Sequence, residues 1–132
     1  MARILVADDD AEQIAVLRKL LEAFGYDVGT ALSTAEVLRE LEQHPPDLLA
    51  VDLRFPHAAD GLELIREIRR TGCRLPLIVL SGWPDDLYGA PEERLVSRVI
   101  VKGSTRELLQ AVAEELAVAR SGQAARSQNL GS

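Results

Sequence analysis

The sequence contains very few of the side chains that form disulfides or zinc sites. It has one cysteine, Cys73, and two histidines, His44 and His57. A single cysteine cannot form a disulfide within the chain. Together these side chains are also too few for a zinc site with four protein ligands. The composition therefore excludes a disulfide framework and a structural zinc centre.

Long apolar runs and an excess of basic residues are also absent. No segment approaches the roughly 18 apolar residues of a membrane span, and the amino-terminal stretch lacks the features of a signal peptide. Lys and Arg number 15 against 21 Asp and Glu, which gives a net charge of −6. Such a balance argues against nonspecific binding to nucleic acid or to an anionic membrane surface. We therefore expect a cytoplasmic protein without direct nucleic acid binding and without membrane insertion.

Short apolar runs alternate along the chain with helical periodicity. The runs predict strands at residues 3–7, 26–32, 48–51, 75–80 and 99–101. The intervening patterns predict helices at residues 11–24, 34–43, 61–70 and 105–120, with a loop over residues 54–60. One more helix is expected within residues 85–96, which makes it the fourth of five along the chain. It is predicted to be short or broken because Gly89 and Pro91 interrupt it.

This alternation predicts an α/β fold with one doubly wound (βα)5 domain. We expect a five-stranded parallel sheet in the flavodoxin-like order 2-1-3-4-5, with helices on both faces. The domain spans residues 1–120. Residues 121–132 lack apolar periodicity and are predicted to form a flexible C-terminal tail.

Polar side chains follow four of the predicted strands where each strand ends. The first strand ends at Asp8 and Asp9, the third at Asp52, the fourth at Ser81 and the fifth at Lys102. In the predicted order these strands are consecutive neighbours, so their carboxyl ends share one edge of the sheet. That edge is where open parallel sheets bind their ligands, and we expect the functional site there.

The residues at this edge suit phosphoryl chemistry with a hard cation. Three carboxylates in one cleft repel each other, and their oxygens are ligands that Mg²⁺ prefers. Lys102 supplies a positive charge, and Ser81 can donate a hydrogen bond to a phosphate oxygen. Asp52 is then a carboxylate nucleophile that can form an acyl phosphate.

Five segments resemble the receiver domain of bacterial two-component response regulators, and the resemblance covers roughly residues 2–119. They are ILVADDD, PDLLAVDLRFP, DGLELIREIR, LPLIVLSG and VIVKG. The resemblance implies that Asp8, Asp9 and the backbone carbonyl of Arg54 hold Mg²⁺ together with Asp52, the phosphoacceptor. It also implies that Ser81 and Lys102 contact the phosphoryl group.

The same resemblance implies the partners. The donor would be a histidine kinase or a histidine phosphotransfer protein, small phosphodonors would replace it in vitro, and the downstream protein target is unknown. At most, the domain would catalyse its own phosphorylation from small donors and its own dephosphorylation. Arg54 and Trp83 lie two residues past Asp52 and Ser81, at positions that flank the attacking water in this family. We expect both side chains to obstruct that water and to slow dephosphorylation.

Four features depart from the family pattern. Gly103 replaces the proline after the lysine, so we expect a trans bond and a different loop. Val99 occupies the aromatic switch position, the fourth helix is interrupted, and the loop after Asp52 is one residue longer than usual. These departures predict an atypical output.

Other functions remain open from the sequence. A degenerate receiver would act by protein contact without phosphorylation, as the lost proline, Val99 and the interrupted fourth helix favour. A flavodoxin-like cofactor binder would need a glycine- and hydroxyl-rich phosphate loop after the first strand, where this chain has three aspartates. A hydrolase is less favoured still, because no Ser–His pairing or glycine-flanked nucleophile is evident.

Overall fold

A parallel sheet of five short strands forms the centre of the structure, a computed structural model that describes the backbone of residues 1–130 and the side chains of residues 1–120. The strands are β1 (Arg3–Ala7), β2 (Asp27–Ala31), β3 (Leu48–Asp52), β4 (Leu77–Ser81) and β5 (Arg98–Val101). They pair in the order β2-β1-β3-β4-β5, and every pair is parallel. The predicted strand order is therefore confirmed.

Over residues 1–130, three α-helices connect strands and a fourth follows β5, one helix fewer than the alternation predicted. They are α1 (Ala11–Ala23), α2 (Thr34–Gln43), α3 (Ala58–Arg70) and α4 (Thr105–Leu130). The missing helix is the one expected between β4 and β5. Two 3₁₀ helices replace it, Pro84–Asp86 and Pro91–Leu95. Each begins at a proline, and Gly89 lies between them with a φ of +83°, a conformation that cannot continue a helix.

The loop after Asp52 is shorter than predicted because α3 begins at Ala58. His57 precedes the helix, and its backbone N–H donates to Asp60 Oδ2 at 3.2 Å. An acid three residues into a helix stabilises its first turn in this way. The alanines at 58 and 59 favour helix strongly. Residues 58–60, predicted as loop, therefore belong to the first turn of α3.

The last helix also differs from the prediction, which ended it near Arg120. It extends to Leu130, and the sequence after Arg120 contains no proline that would stop it. The side chains of residues 121–130, and residues 131–132 entirely, lie outside the described residues. The flexible tail over residues 121–132 therefore stays a prediction.

Two hydrophobic cores lie on opposite faces of the sheet. One contains β1 and β3 side chains such as Ile4 and Ala50, packed with α1 and α4. The other contains the alternate residues of the same strands, such as Leu5 and Val51, packed with α2 and α3. This arrangement confirms helices on both faces and leaves the carboxyl edge of the strands open. None of the helices in the described part of the chain has the length and apolar character needed to cross a membrane.

Candidate functional site

The carboxyl ends of four strands bring the predicted site residues to one edge of the sheet. β3 pairs with β1 on one side and β4 on the other, and Ser81 lies opposite Val101 of β5. Asp8 and Lys102 follow directly after β1 and β5, while Asp52 and Ser81 are the last residues of β3 and β4. Strand pairing therefore fixes the positions of these side chains.

Asp8, Asp9 and Asp52 form a compact carboxylate cluster. One oxygen from each lies within 4.8 Å of the others. Asp8 and Asp52 are only 3% and 6% exposed, whereas Asp9 faces solvent. Backbone N–H groups two residues downstream hold the two buried acids, since Asp10 N donates to Asp8 Oδ1 at 3.0 Å and Arg54 N donates to Asp52 Oδ1 at 3.1 Å.

Asp10 does not belong to this cluster. Its side chain accepts hydrogen bonds from the backbone N–H groups of Glu12 and Gln13, at 2.9 and 3.4 Å, and so caps the start of α1. This confirms the interpretation of Asp10 as a helix N-terminal acid. The three consecutive aspartates therefore divide into two cluster members and one cap.

Lys102 brings a positive charge to the carboxylate cluster. Its Nζ lies 2.7 Å from Asp52 Oδ2 and 3.6 Å from Asp8 Oδ2. Partial burial lowers the pKa of Lys102, but the hydrogen bond and the charge of Asp52, with a smaller contribution from Asp8, outweigh burial and raise the pKa above its ordinary value. The ammonium group therefore stays charged at neutral pH.

Asp8 is the acid that the cluster perturbs most clearly. The pKa of Asp8 is raised from 3.8 to about 6, chiefly by burial and also by the nearby charge of Asp52, against the lowering effects of the Asp10 N–H and Lys102. The site thus contains an excess of negative charge that one lysine does not balance. Three oxygen-donor carboxylates with uncompensated charge fit a divalent cation such as Mg²⁺.

Ser81 is 1% exposed and lies beside this cluster. Its hydroxyl oxygen accepts a hydrogen bond from the backbone N–H of Trp83 at 2.9 Å. This hydrogen bond links the backbone of the turn after β4 to the Ser81 side chain.

Arg54 and Trp83, singled out as obstructing residues, contact each other. The guanidinium carbon lies 5.1 Å from the centre of the indole ring, within the range of a cation–π interaction. Arg54 Nε also donates to Asp86 Oδ2 at 2.8 Å. Sequence reasoning missed Asp86, because it is 32 residues from Arg54 and no local pattern connects the two. We refer to Arg54, Trp83 and Asp86 as the Arg54 cluster.

The loop after β5 differs from the proline-containing family pattern as expected. Among the described residues the cis peptide bond joins Phe55 to Pro56, so the bond between Lys102 and Gly103 is trans. Gly103 has a φ of +97°, which favours glycine and which proline cannot adopt. The backbone here therefore requires the glycine that the sequence has.

Comparison with known proteins agrees with this geometry. The profile of the response regulator receiver domain matches residues 4–114. The chain belongs to the response regulator receiver domain family. Receiver domains serve two-component phosphosignalling and are signalling domains rather than classical enzymes. They bind Mg²⁺ at their aspartate cluster and are phosphorylated by histidine kinases.

Individual relatives show how far the similarity extends. The transcriptional regulatory protein PrrA of Mycobacterium tuberculosis is 35% identical over 80 residues, which is 61% of this chain and 34% of PrrA. The chain therefore spans about a third of the length of the curated relatives it matches. The match supports a shared receiver domain.

Solved receiver domains share the whole fold. A receiver domain from Clostridium thermocellum superposes with a TM-score of 0.81 at 26% identity, covering 91% of this chain and 98% of that one. The response regulator TrrA of Thermotoga maritima, solved in complex with Mg²⁺ and BeF, gives a TM-score of 0.77 at 27% identity, covering 88% and 99%. The receiver fold thus accounts for nearly all of the chain.

Proposed function

We propose that this receiver domain is a phosphorylation-dependent switch in which Asp52 is the phosphoacceptor. The contact that carries the proposal is the 2.7 Å hydrogen bond from Lys102 Nζ to Asp52 Oδ2 inside the carboxylate cluster. The carboxylate of Asp52 can act as the nucleophile from this position. The adjacent ammonium group of Lys102 can stabilise the negative charge that develops on the transferred phosphoryl group.

The proposed reaction moves a phosphoryl group from nitrogen to oxygen. A carboxylate oxygen of Asp52 attacks the phosphorus of a phosphohistidine on a histidine kinase or histidine phosphotransfer protein. The phosphorus–nitrogen bond breaks, and the imidazole leaves with the electron pair and takes up a proton. The product is an acyl phosphate on Asp52, and no redox change or further reactant is needed.

The other cluster residues support this transfer. Mg²⁺, held by the carboxylates of Asp8, Asp9 and Asp52 and by the Arg54 carbonyl, would neutralise charge on the phosphoryl oxygens. The Ser81 hydroxyl is buried at the same edge and would turn to donate to a phosphoryl oxygen. Each of these roles is consistent with the donor chemistry of the residue concerned.

We infer that output occurs through contact with a downstream protein. The chain has a net charge of −6, which disfavours direct binding to nucleic acid. PrrA is a transcriptional regulatory protein. A transcriptional role for the whole protein would therefore require a partner or segment other than the described residues.

Intact mass after incubation with acetyl phosphate and Mg²⁺ tests the proposed acceptor. We expect a gain of about 80 Da that requires Mg²⁺ and is lost in Asp52→Asn. Asp10→Asn is the matched control, since it removes the same charge nearby and asparagine caps a helix equally well. A gain that persists in Asp52→Asn would refute Asp52 as the acceptor.

A second function, contact-only signalling without phosphorylation, is favoured by the 3₁₀ segments that replace the fourth helix. Titration with Mg²⁺ separates the two functions. If the protein takes up no phosphoryl group from acetyl phosphate or from a histidine kinase, and also fails to bind Mg²⁺, the contact-only receiver is the better description. Magnesium binding with phosphoryl uptake would exclude it.

A further inference from the structure

The Arg54 cluster is connected to the site residues at two separate points. At one point, Arg54 N donates to Asp52 Oδ1 at 3.1 Å. At the other, Trp83 N donates to Ser81 Oγ at 2.9 Å. The proposed phosphorylation would alter both acceptors, because Asp52 would gain a phosphoryl group and the Ser81 hydroxyl would turn toward that group. Phosphorylation would therefore alter the hydrogen bond that holds Arg54 and the hydrogen bond that holds Trp83.

We propose that Arg54, Trp83 and Asp86 form a latch that phosphorylation opens. The inference rests on the proposed function, since it requires a phosphoryl group on Asp52. In the closed state Asp86 holds the guanidinium of Arg54, which in turn stacks on Trp83. In the open state the guanidinium binds the phosphoryl oxygens, and Trp83 and Asp86 are released.

Competition between two anions drives this exchange. Asp86 offers Arg54 one negative charge, and its side chain is only 24% exposed while that of Arg54 is 47% exposed. A phosphoryl group offers nearly two charges and three acceptor oxygens, and guanidinium binds it in a bidentate manner. Because the guanidinium is about half exposed, solvent screens its attraction to Asp86, so the phosphoryl group can displace Asp86.

The released segment has a defined end. Beyond Gly89, the second 3₁₀ helix is attached to α3 by the ion pair between Arg66 and the buried Glu92 and by the bond from Arg69 Nε to the Leu95 carbonyl at 2.8 Å. Gly89 has a φ of +83° and lies between the two 3₁₀ helices. Leu87 is fully buried in the core beside α3. Opening is therefore confined to residues 83–86, and it replaces the aromatic switch that Val99 cannot provide.

Tryptophan fluorescence with a phosphoryl analogue tests the latch. Trp83 is the one tryptophan of the sequence, so emission reports on the latch alone. Beryllofluoride with Mg²⁺ is the probe, and ¹⁹F NMR measures its binding independently. In the parent protein, saturation should shift the Trp83 emission. Asp86→Asn should show much of that shift without the probe and should bind beryllofluoride about two- to fivefold more tightly, because Arg54 is already free.

Asp85→Asn is the matched control, since it removes the same charge from an exposed neighbour in the same 3₁₀ helix and leaves the Arg54–Asp86 pair intact. It should match the parent protein in emission and in affinity. A bound ¹⁹F resonance with unchanged Trp83 emission would overturn the latch while leaving the proposed function standing. Absence of a bound ¹⁹F resonance would refute the proposed function, and the latch would be refuted with it.

Discussion

At the scale of single residues, Asp8 carries the largest electrostatic cost in the site. Its carboxylate is 3% exposed, and its pKa is raised from 3.8 to about 6, chiefly by burial. A raised pKa means that the folded protein holds the proton more tightly than the unfolded chain. The stability contributed by Asp8 is therefore present below pH 3.8 and is lost as the pH rises through about 6.

From this we predict that Asp8→Asn stabilises the Mg²⁺-free protein at neutral pH. The gain should be about 1–2 kcal/mol, after discounting for solvent screening, and it should shrink as the pH falls through about 6. Urea unfolding with EDTA between pH 5 and pH 8 measures it. Asp9→Asn, at an exposed position, should give little gain. A gain for Asp8→Asn that does not vary with pH would contradict the prediction.

We expect the side chains of Arg54 and Trp83 to control the rate of dephosphorylation. Arg54→Ala removes the cation that we place over the phosphoryl group, so water gains access and the half-life of phosphorylated Asp52 should shorten about three- to tenfold. Trp83→Ala should shorten it less, since the open latch moves the indole away. Decay of the mass adduct after donor removal gives both half-lives. Two unchanged half-lives would show that neither side chain obstructs water.

At the scale of elements, one glycine allows α3 to pack against the end of β3. A Cβ placed on Gly61 would lie 1.8 Å from the carbonyl oxygen of Leu53. That oxygen belongs to the backbone, so it cannot move aside without shifting the residue after Asp52. The close approach of helix and strand therefore requires a residue without a side chain.

Gly61→Ala should consequently destabilise the domain by roughly 3 kcal/mol or more, in the range of severe core overpacking. Chemical denaturation followed by circular dichroism measures the loss. Gly82→Ala is the comparison, because a Cβ there meets nothing within 4 Å. Equal stabilities of the two variants would mean that α3 can move away from β3 without cost.

The elements also show what sequence patterns can predict. The strand ends at Asp8, Asp52 and Ser81 were predictable, because buried parallel strands are apolar on both faces and become polar where they leave the core. The start of α3 at Ala58 was not, since His57 is a weak cap signal. The pairing of Arg54 with Asp86 was not predictable either, because it joins distant segments and depends on the course of the chain between β4 and β5.

At the scale of the whole molecule, the carboxylate cluster couples cation binding to folding. Asp8, Asp9 and Asp52 lie at the ends of two central strands, β1 and β3. The repulsion between Asp52 and the other two exists only when the sheet is formed, because the unfolded chain separates Asp52 from Asp8 and Asp9. A cation that binds the cluster therefore binds the folded state and stabilises the entire domain.

We predict that Mg²⁺ at ten times its dissociation constant stabilises the protein by about 1.4 kcal/mol. For a domain of this size the melting temperature should rise by about 4–8 °C. Thermal unfolding in MgCl₂ measures the rise, with NaCl at equal ionic strength as the control for screening. Asp9→Asn should lose most of the increment, since it removes a cluster carboxylate from an exposed position. An equal rise in NaCl, or a full rise in Asp9→Asn, would show that the ion acts by screening and that these three carboxylates do not form its site.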